Sequence, residues 1–243
     1  MSSSTGTGTK KLPRLSRAAE NYLLSLAILR EDGVSPHLTE LASFLRQIPP
    51  EEEVGTTLPS VSGMLQRMAR EGLLSITKDK EIALTAAGEE QARDVVRRHR
   101  LAERLLVDVL GVPLDRAESE AHALEHAISP ALLTRIEEKL GHPQTCPYGR
   151  PIYQPDEKRL RTDEPGTFPL SQAQPGRGYV VVRIPDVDYP LLRFLVGSYI
   201  LPGQRIEVAE VAGYRGVVDL TVAGERVSLG MEQAARIRVR AAA

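Results

Sequence analysis

Two short stretches carry the residues best able to do chemistry: His99 with Glu103, and Glu118, His122, Glu125 and His126. Separations of three and four residues place side chains on one side of a helix, because successive residues advance by about 100°. On that wheel Val95, Val96, Ala102, Leu106 and Leu110 form an apolar stripe with His99 and Glu103 in its middle. A carboxylate on a buried stripe is costly unless a cation compensates it, so Glu103 needs an arginine or a metal ion. In the second stretch Glu118, His122, Glu125 and His126 spread over about 100° of arc, beside the stripe of Ala117, Ala121, Leu124 and Ile128. Four donors on one edge, next to a second His/Glu pair, point to a metal-binding set. Nitrogen and oxygen donors without thiolate suit Mn2+ or Fe2+, although Zn2+, Ni2+ or Cu2+ can bind such sites more tightly in vitro.

The elements that must position these residues follow from periodicity and punctuation. Residues 16–30 read as a buried helix stopped by Gly33, and residues 39–46 as a second helix. Pro49 and Pro50 open a polar insertion over 49–57, whose Glu51-Glu52-Glu53 run resembles a surface loop. Pro59 suits the first turn of a third helix that Gly72 ends, and 73–77 and 81–85 read as a hairpin around Lys78-Asp79-Lys80. Together these make a winged helix-turn-helix. Its third helix carries Ser60, Ser62, Gln66, Arg67 and Arg70, which suit phosphate and base-edge contacts, whereas Gly63 offers no side chain there.

A long helix over 86–110, a second over 115–128 and a third over 130–140 form a helical middle section. Glycine, proline and polar residues then suggest linker, followed by strand-like runs at 179–184, 205–211, 217–222 and 236–239. The expected architecture is mainly α with small β parts. It comprises a flexible basic tail (1–15), a winged helix-turn-helix (16–85), a helical dimerisation and metal-binding domain (86–150), a linker (151–177) and an SH3-like β-barrel (178–243).

Composition narrows the function classes. The 243 residues include 31 Lys+Arg and 32 Asp+Glu, a net charge of -1, so nucleic-acid binding must come from local patches such as Lys10, Lys11, Arg14 and Arg17. The single cysteine, Cys146, excludes an intramolecular disulfide framework and a thiolate-only metal site. With no apolar run of membrane-spanning length and no signal-peptide pattern, a cytoplasmic location is expected. No His-Glu-x-x-His spacing, nucleophile elbow or phosphate-binding glycine loop is present, which argues against an enzyme.

The run Arg98-His-Arg-Leu-Ala-Glu-Arg-Leu-Leu106, followed by Glu120-Ala-His-Ala-Leu-Glu-His-Ala-Ile-Ser129, resembles the diphtheria toxin repressor family of iron- and manganese-dependent regulators. The resemblance extends through the Cys-Pro-Tyr-Gly-Arg-Pro-Ile segment beginning at Cys146 and into the SH3-like domain. It implies a metal-loaded homodimer that binds palindromic double-stranded operator DNA and represses metal-uptake genes, with no membrane and no small organic substrate among its partners. It also implies a primary metal site of Asn21, His122, Glu125 and His126. His99, Glu103, Glu118 and Asp188 fall at the ancillary site, and Pro59, Ser60, Ser62, Arg67, Arg70 and Lys80 at DNA-facing positions. Iron-responsive members carry methionine and cysteine where this chain has Asn21 and His122, so the loss of sulfur favours manganese over iron. Glu118 replaces a family histidine. Alternatives left open are a metal-buffering or metal-delivery protein, a regulator that answers to an organic ligand, and a hydrolytic metalloenzyme.

Overall fold

The computed structural model describes residues 15–52, 54–154, 157, 160 and 165–242. Most of the basic tail, with Lys10, Lys11 and Arg14, lies outside the described residues, as does Glu53.

The winged helix is built from α1 (Arg17–Glu31), α2 (Leu38–Leu45), α3 (Leu58–Arg70), β1 (Leu74–Ile76) and β2 (Ile82–Leu84). Side-chain caps set its helix starts: Ser16 accepts a hydrogen bond from the Ala19 amide at 3.3 Å, and Thr57 from the Ser60 amide at 3.4 Å. Pro59 sits in the first turn of α3, where its missing amide hydrogen has no partner to lose. The hairpin pairs Leu74 with Leu84 and Ile76 with Ile82, and Lys80 turns it at φ 63°. Buried Tyr22, Leu23, Leu26 and Ala27 of α1 pack with Leu41, Leu45, Val61, Leu65 and Met68 into one core. Each such leucine stabilises the fold by about 1.5–3 kcal/mol.

The helical unit follows as α4 (Ala86–Arg104), α5 (Leu114–Glu125) and α6 (Pro130–Leu140). Thr85 caps α4 by accepting from the Gly88 amide at 3.1 Å. Gly88 is required sterically, since a Cβ there would lie 1.8 Å from the Leu73 carbonyl oxygen. Helix α4 passes through two cores: Ala92, Val95 and Val96 belong to the winged-helix core, whereas Leu101 and Ala102, with Leu106 just beyond the helix, belong to the next. His99 therefore lies at the seam. The expected helix to residue 110 is α-helical only to Arg104, and Leu105–Val109 is π-helical. The wider turn takes Leu110 off the stripe, leaving it 61% exposed instead of buried.

Beyond α6, Cys146, Tyr148, Arg150 and Ile152 are buried. Gly149 adopts φ 88°, and a Cβ there would lie 1.9 Å from the Val182 carbonyl oxygen, which joins this segment to the C-terminal unit. That unit contains β3 (Phe168–Pro169), β4 (Arg177–Arg183), α7 (Tyr189–Gly197), β5 (Arg205–Ala212), β6 (Val217–Val222), β7 (Glu225–Gly230), α8 (Met231–Ala235) and β8 (Arg238–Ala241). Its antiparallel sheet has the order β3-β8-β4-β5-β6-β7. Strand β3 falls within the stretch expected to be linker and pairs with β8, Phe168 opposite Val239. Strand β7 and helices α7 and α8 have no counterpart in the sequence reading. Among the described residues no helix is long and apolar enough to cross a membrane.

A buried ion network ties the three units together. Arg150 reaches Asp186 at 2.6 Å, Asp32 at 3.0 Å and Glu31 at 3.3 Å. Arg100 of α4 reaches the same Glu31 at 2.5 Å, and the Tyr153 hydroxyl donates to Glu31 at 2.5 Å. Burial alone would lower the pKa of Arg150, but Asp186, Asp32 and Glu31 outweigh it and keep the guanidinium charged.

Candidate metal centre

Three helices and one turn converge at the seam between the two cores. Helix α1 contributes Glu20 and Asn21, α4 contributes His99 and Glu103, and α5 contributes Glu118, His122 and Glu125 with His126 as its C-cap. The fourth element is the 3-10 turn Pro50–Glu52, inside the insertion expected to be a surface loop. Glu52 instead turns inward and is 8% exposed. The amide of Asn21 donates to Glu52 Oε2 at 3.1 Å, and His126 Nε2 lies 3.1 Å from the same oxygen.

The cluster is continuous. Glu125, fully buried, connects its two ends: Oε2 lies 2.7 Å from His99 Nδ1, whereas Oε1 lies 3.8 Å from His122 Nδ1 and 3.5 Å from His126 Nε2. His99 Nε2 meets Glu103 Oε1 at 3.1 Å, and His122 Nε2 meets Glu118 Oε1 at 2.9 Å. The rings of His99 and His122 are 4.8 Å apart. Donor atoms of His99, Glu118 and His122 all lie within 4.8 Å of one another, which brings His122 together with two residues assigned by resemblance to the ancillary set.

Further contacts orient His126 and Glu118. His126 Nδ1 donates to Glu20 Oε2 at 2.6 Å, and Arg98 holds the other oxygen of Glu20 at 2.8 Å. Held at Nδ1 by that carboxylate, the ring directs Nε2 at Glu52 and Glu125. The Tyr189 hydroxyl of α7 donates to Glu118 Oε2. Burial and then the Glu118 carboxylate push the Tyr189 pKa up, so it stays a donor. Asp188, expected from the resemblance near this site, is engaged elsewhere. Its Oδ1 caps α7 by accepting from the Leu191 amide at 3.2 Å, and Oδ2 pairs with Arg236 at 2.6 Å. Its neighbour Tyr189 makes the contact with the cluster.

Electrostatically the cluster calls for added positive charge. Glu20, Glu52, Glu103, Glu118 and Glu125 outnumber the three imidazoles, and of these carboxylates Glu20 has an arginine partner. Burial opposes protonation of His99, but Glu103 and Glu125 overcome it and raise its pKa well above the imidazole range. Burial likewise opposes protonation of His126, and Glu20, Glu125 and Glu52 reverse it. The Glu125 carboxyl, which burial would raise, is lowered by His99, His122 and His126. Asn21 Oδ1, His122 Nδ1 and Glu125 Oε1 are buried without a hydrogen-bond partner among the described residues. Unsatisfied buried acceptors are costly in a folded protein, and here they border a surplus of carboxylates. These residues fit a divalent cation.

Sequence reasoning found the helical His/Glu set but missed Glu52, Glu20 and Tyr189. Glu20 has one local signal, its place beside Asn21 on a helix buried nearly all round. Glu52 has none, because an acidic run after two prolines reads as solvated.

A winged helix joined through its first helix to a buried nitrogen and oxygen cluster defines a metal-responsive DNA-binding regulator. Residues 85–154 match the family described as "Iron dependent repressor, metal binding and dimerisation domain", and residues 168–241 match the FeoA domain. The iron-dependent repressor IdeR of Mycobacterium tuberculosis is 33% identical over 232 residues, spanning 90% of this chain and 95% of that protein. The diphtheria toxin repressor of Corynebacterium diphtheriae is 30% identical over 227 residues, with 90% and 95% covered. A solved manganese-dependent transcriptional repressor in complex with manganese superposes with a TM-score of 0.80 at 30% identity, covering 92% of this chain and 100% of that one. The chain belongs to the diphtheria toxin repressor family. It is a metal-dependent, DNA-binding transcriptional repressor with a dimerisation domain, not an enzyme, and its cofactor is a divalent metal ion. Membership favours this function over metal buffering or delivery.

Proposed function

We propose that the protein represses metal-uptake genes in response to manganese, binding a palindromic operator as a metal-loaded homodimer. The observation that carries this is the trio of unpartnered buried donor atoms, Asn21 Oδ1, His122 Nδ1 and Glu125 Oε1, drawn from the winged helix and from α5. Asn21, His122, Glu125 and His126 make the primary site, and His99, Glu103 and Glu118 the second. Asp188 supports α7 and Tyr189 from outside the ligand set. A bound divalent ion supplies charge compensation and a preference for the arrangement in which α1 and α5 are drawn together. The all nitrogen and oxygen donor set favours manganese over iron. Cys146 does not alter that choice, because burial pushes its thiol pKa well up and keeps it protonated.

On the DNA side, Pro59, Ser60, Arg67 and Arg70 of α3 are exposed, Ser62 is half-buried and Lys80 is exposed on the wing. Gly63 faces open space. Arg67 is partly held by Glu71 at 2.9 Å, leaving Arg70 the freer phosphate contact. Gel-shift titrations of candidate operators should show tight binding with Mn2+ that a chelator abolishes. Arg70→Ala should weaken binding about equally across sequences and reduce the salt slope by about one. Operator affinity indifferent to both metal and chelator would overturn the reading, and stronger activation by Fe2+ would reverse the choice of metal.

A further inference from the structure

We propose that Glu52, in the turn that leads into the recognition helix, is itself a ligand of the metal held by Asn21, His122, Glu125 and His126. The inference rests on the metal reading above and extends the site into the helix-turn-helix.

Of the two described residues of the acidic run, the geometry singles out Glu52. The Glu52 side chain is 5% exposed, whereas Glu51 faces solvent. Its Oε2 touches both Asn21 and His126, each at 3.1 Å. Among the described residues no lysine or arginine pairs with it. A buried carboxylate compensated only by an amide and an imidazole is weakly stabilised, and a divalent ion there removes the deficit. By drawing the Asn21 amide nitrogen to itself, Glu52 also leaves Oδ1 of Asn21 as the unpartnered donor.

The chain beyond Glu52 is held tightly enough to carry its position onward. The Tyr22 hydroxyl donates to the Gly55 carbonyl at 3.3 Å. Ser60 packs so closely on Gly55 that a Cβ there would lie 1.9 Å from Ser60 Oγ. Thr57 then caps α3. Ligation by Glu52 thus fixes the start of α3, where Pro59 and Ser60 are exposed, relative to α5. Asn21 alone would anchor α1 and leave this turn to its own contacts.

The opposing arrangement is a plug, in which Glu52 fills the site until the metal expels it. Calorimetric titration of the full-length chain with MnCl2 separates the two. As a ligand, Glu52→Gln weakens Mn2+ binding by more than about 100-fold; a loss of only about 10- to 100-fold marks a residue that merely orients a ligand and overturns the proposal. As a plug, the same change leaves affinity unchanged or tightens it, and either result overturns the proposal. Hydrogen exchange on the wild-type protein gives a readout that needs no variant: Mn2+ should slow exchange at residues 54–57, and unaltered exchange there counts against ligation. Glu125→Gln serves as the reference. If it loses Mn2+ affinity while Glu52→Gln keeps it, the Glu52 inference alone fails. If the wild type binds no Mn2+, or Glu125→Gln binds as the wild type does, the metal reading fails with it.

Discussion

Replacing Glu125 by glutamine lowers Mn2+ affinity by more than about 100-fold, beyond the loss expected for a residue that only orients a ligand. Glu125 is fully buried and, among the described residues, is the one carboxylate in contact with all three cluster imidazoles: His99 at 2.7 Å, His126 at 3.5 Å and His122 at 3.8 Å. Glutamine keeps the shape and an oxygen for His99 but removes the charge and puts an amide where two donors must converge. The metal-free variant should keep its helical circular-dichroism spectrum, since α5 is held by Ala117 and Ala121 in the core. Operator binding should then no longer respond to Mn2+. An unchanged calorimetric Kd would remove Glu125 from the site.

The second large effect lies away from the metal. Arg150→Leu should destabilise the protein by about 3–5 kcal/mol, because removing one member of a buried ion network leaves its partners uncompensated. Asp186 would lose contacts at 2.6 and 3.1 Å from Arg150, and Asp32 contacts at 3.0 and 3.2 Å. Arg183 does not replace these contacts, since its own are to Asp32 and to the Glu31 carbonyl, each at 3.4 Å. Denaturant midpoints at constant slope measure the change. A shift below about 1 kcal/mol would mean that the pairs act like exposed surface bridges.

The same network gives the protein an acid sensitivity of defined sign. Burial alone would raise the Asp186 carboxyl pKa, but Arg150 outweighs it and holds it below the usual range. A depressed carboxyl stabilises the fold above its unfolded pKa of about 3.9 and loses that contribution as pH falls through the lower folded value. The stability gap between wild type and Asp186→Asn should be constant from neutral pH to about pH 5 and close below about pH 4. A gap that persists undiminished in acid would assign the effect to packing instead.

Features encoded within single elements were legible before any folding was considered. Capping residues and glycines mark the helices of the winged unit, and three- and four-residue spacing puts His99 with Glu103 and Glu118 with His122 on shared helix faces. Both pairs meet in the structure, at 3.1 and 2.9 Å. The resemblance added the family and Asn21, which no periodicity indicates. Tertiary structure alone decided how those faces close on one another and what joins them. Glu52 is separated from Asn21 by 31 residues and from His126 by 74, and Glu20 from His126 by 106. Contacts over such separations leave no periodic trace, because they depend on where helices pack rather than on how each one turns. For the same reason Asp188 became a helix cap and Leu110 moved to solvent: a local cap and a π-helical turn redirected residues that spacing and resemblance had placed elsewhere.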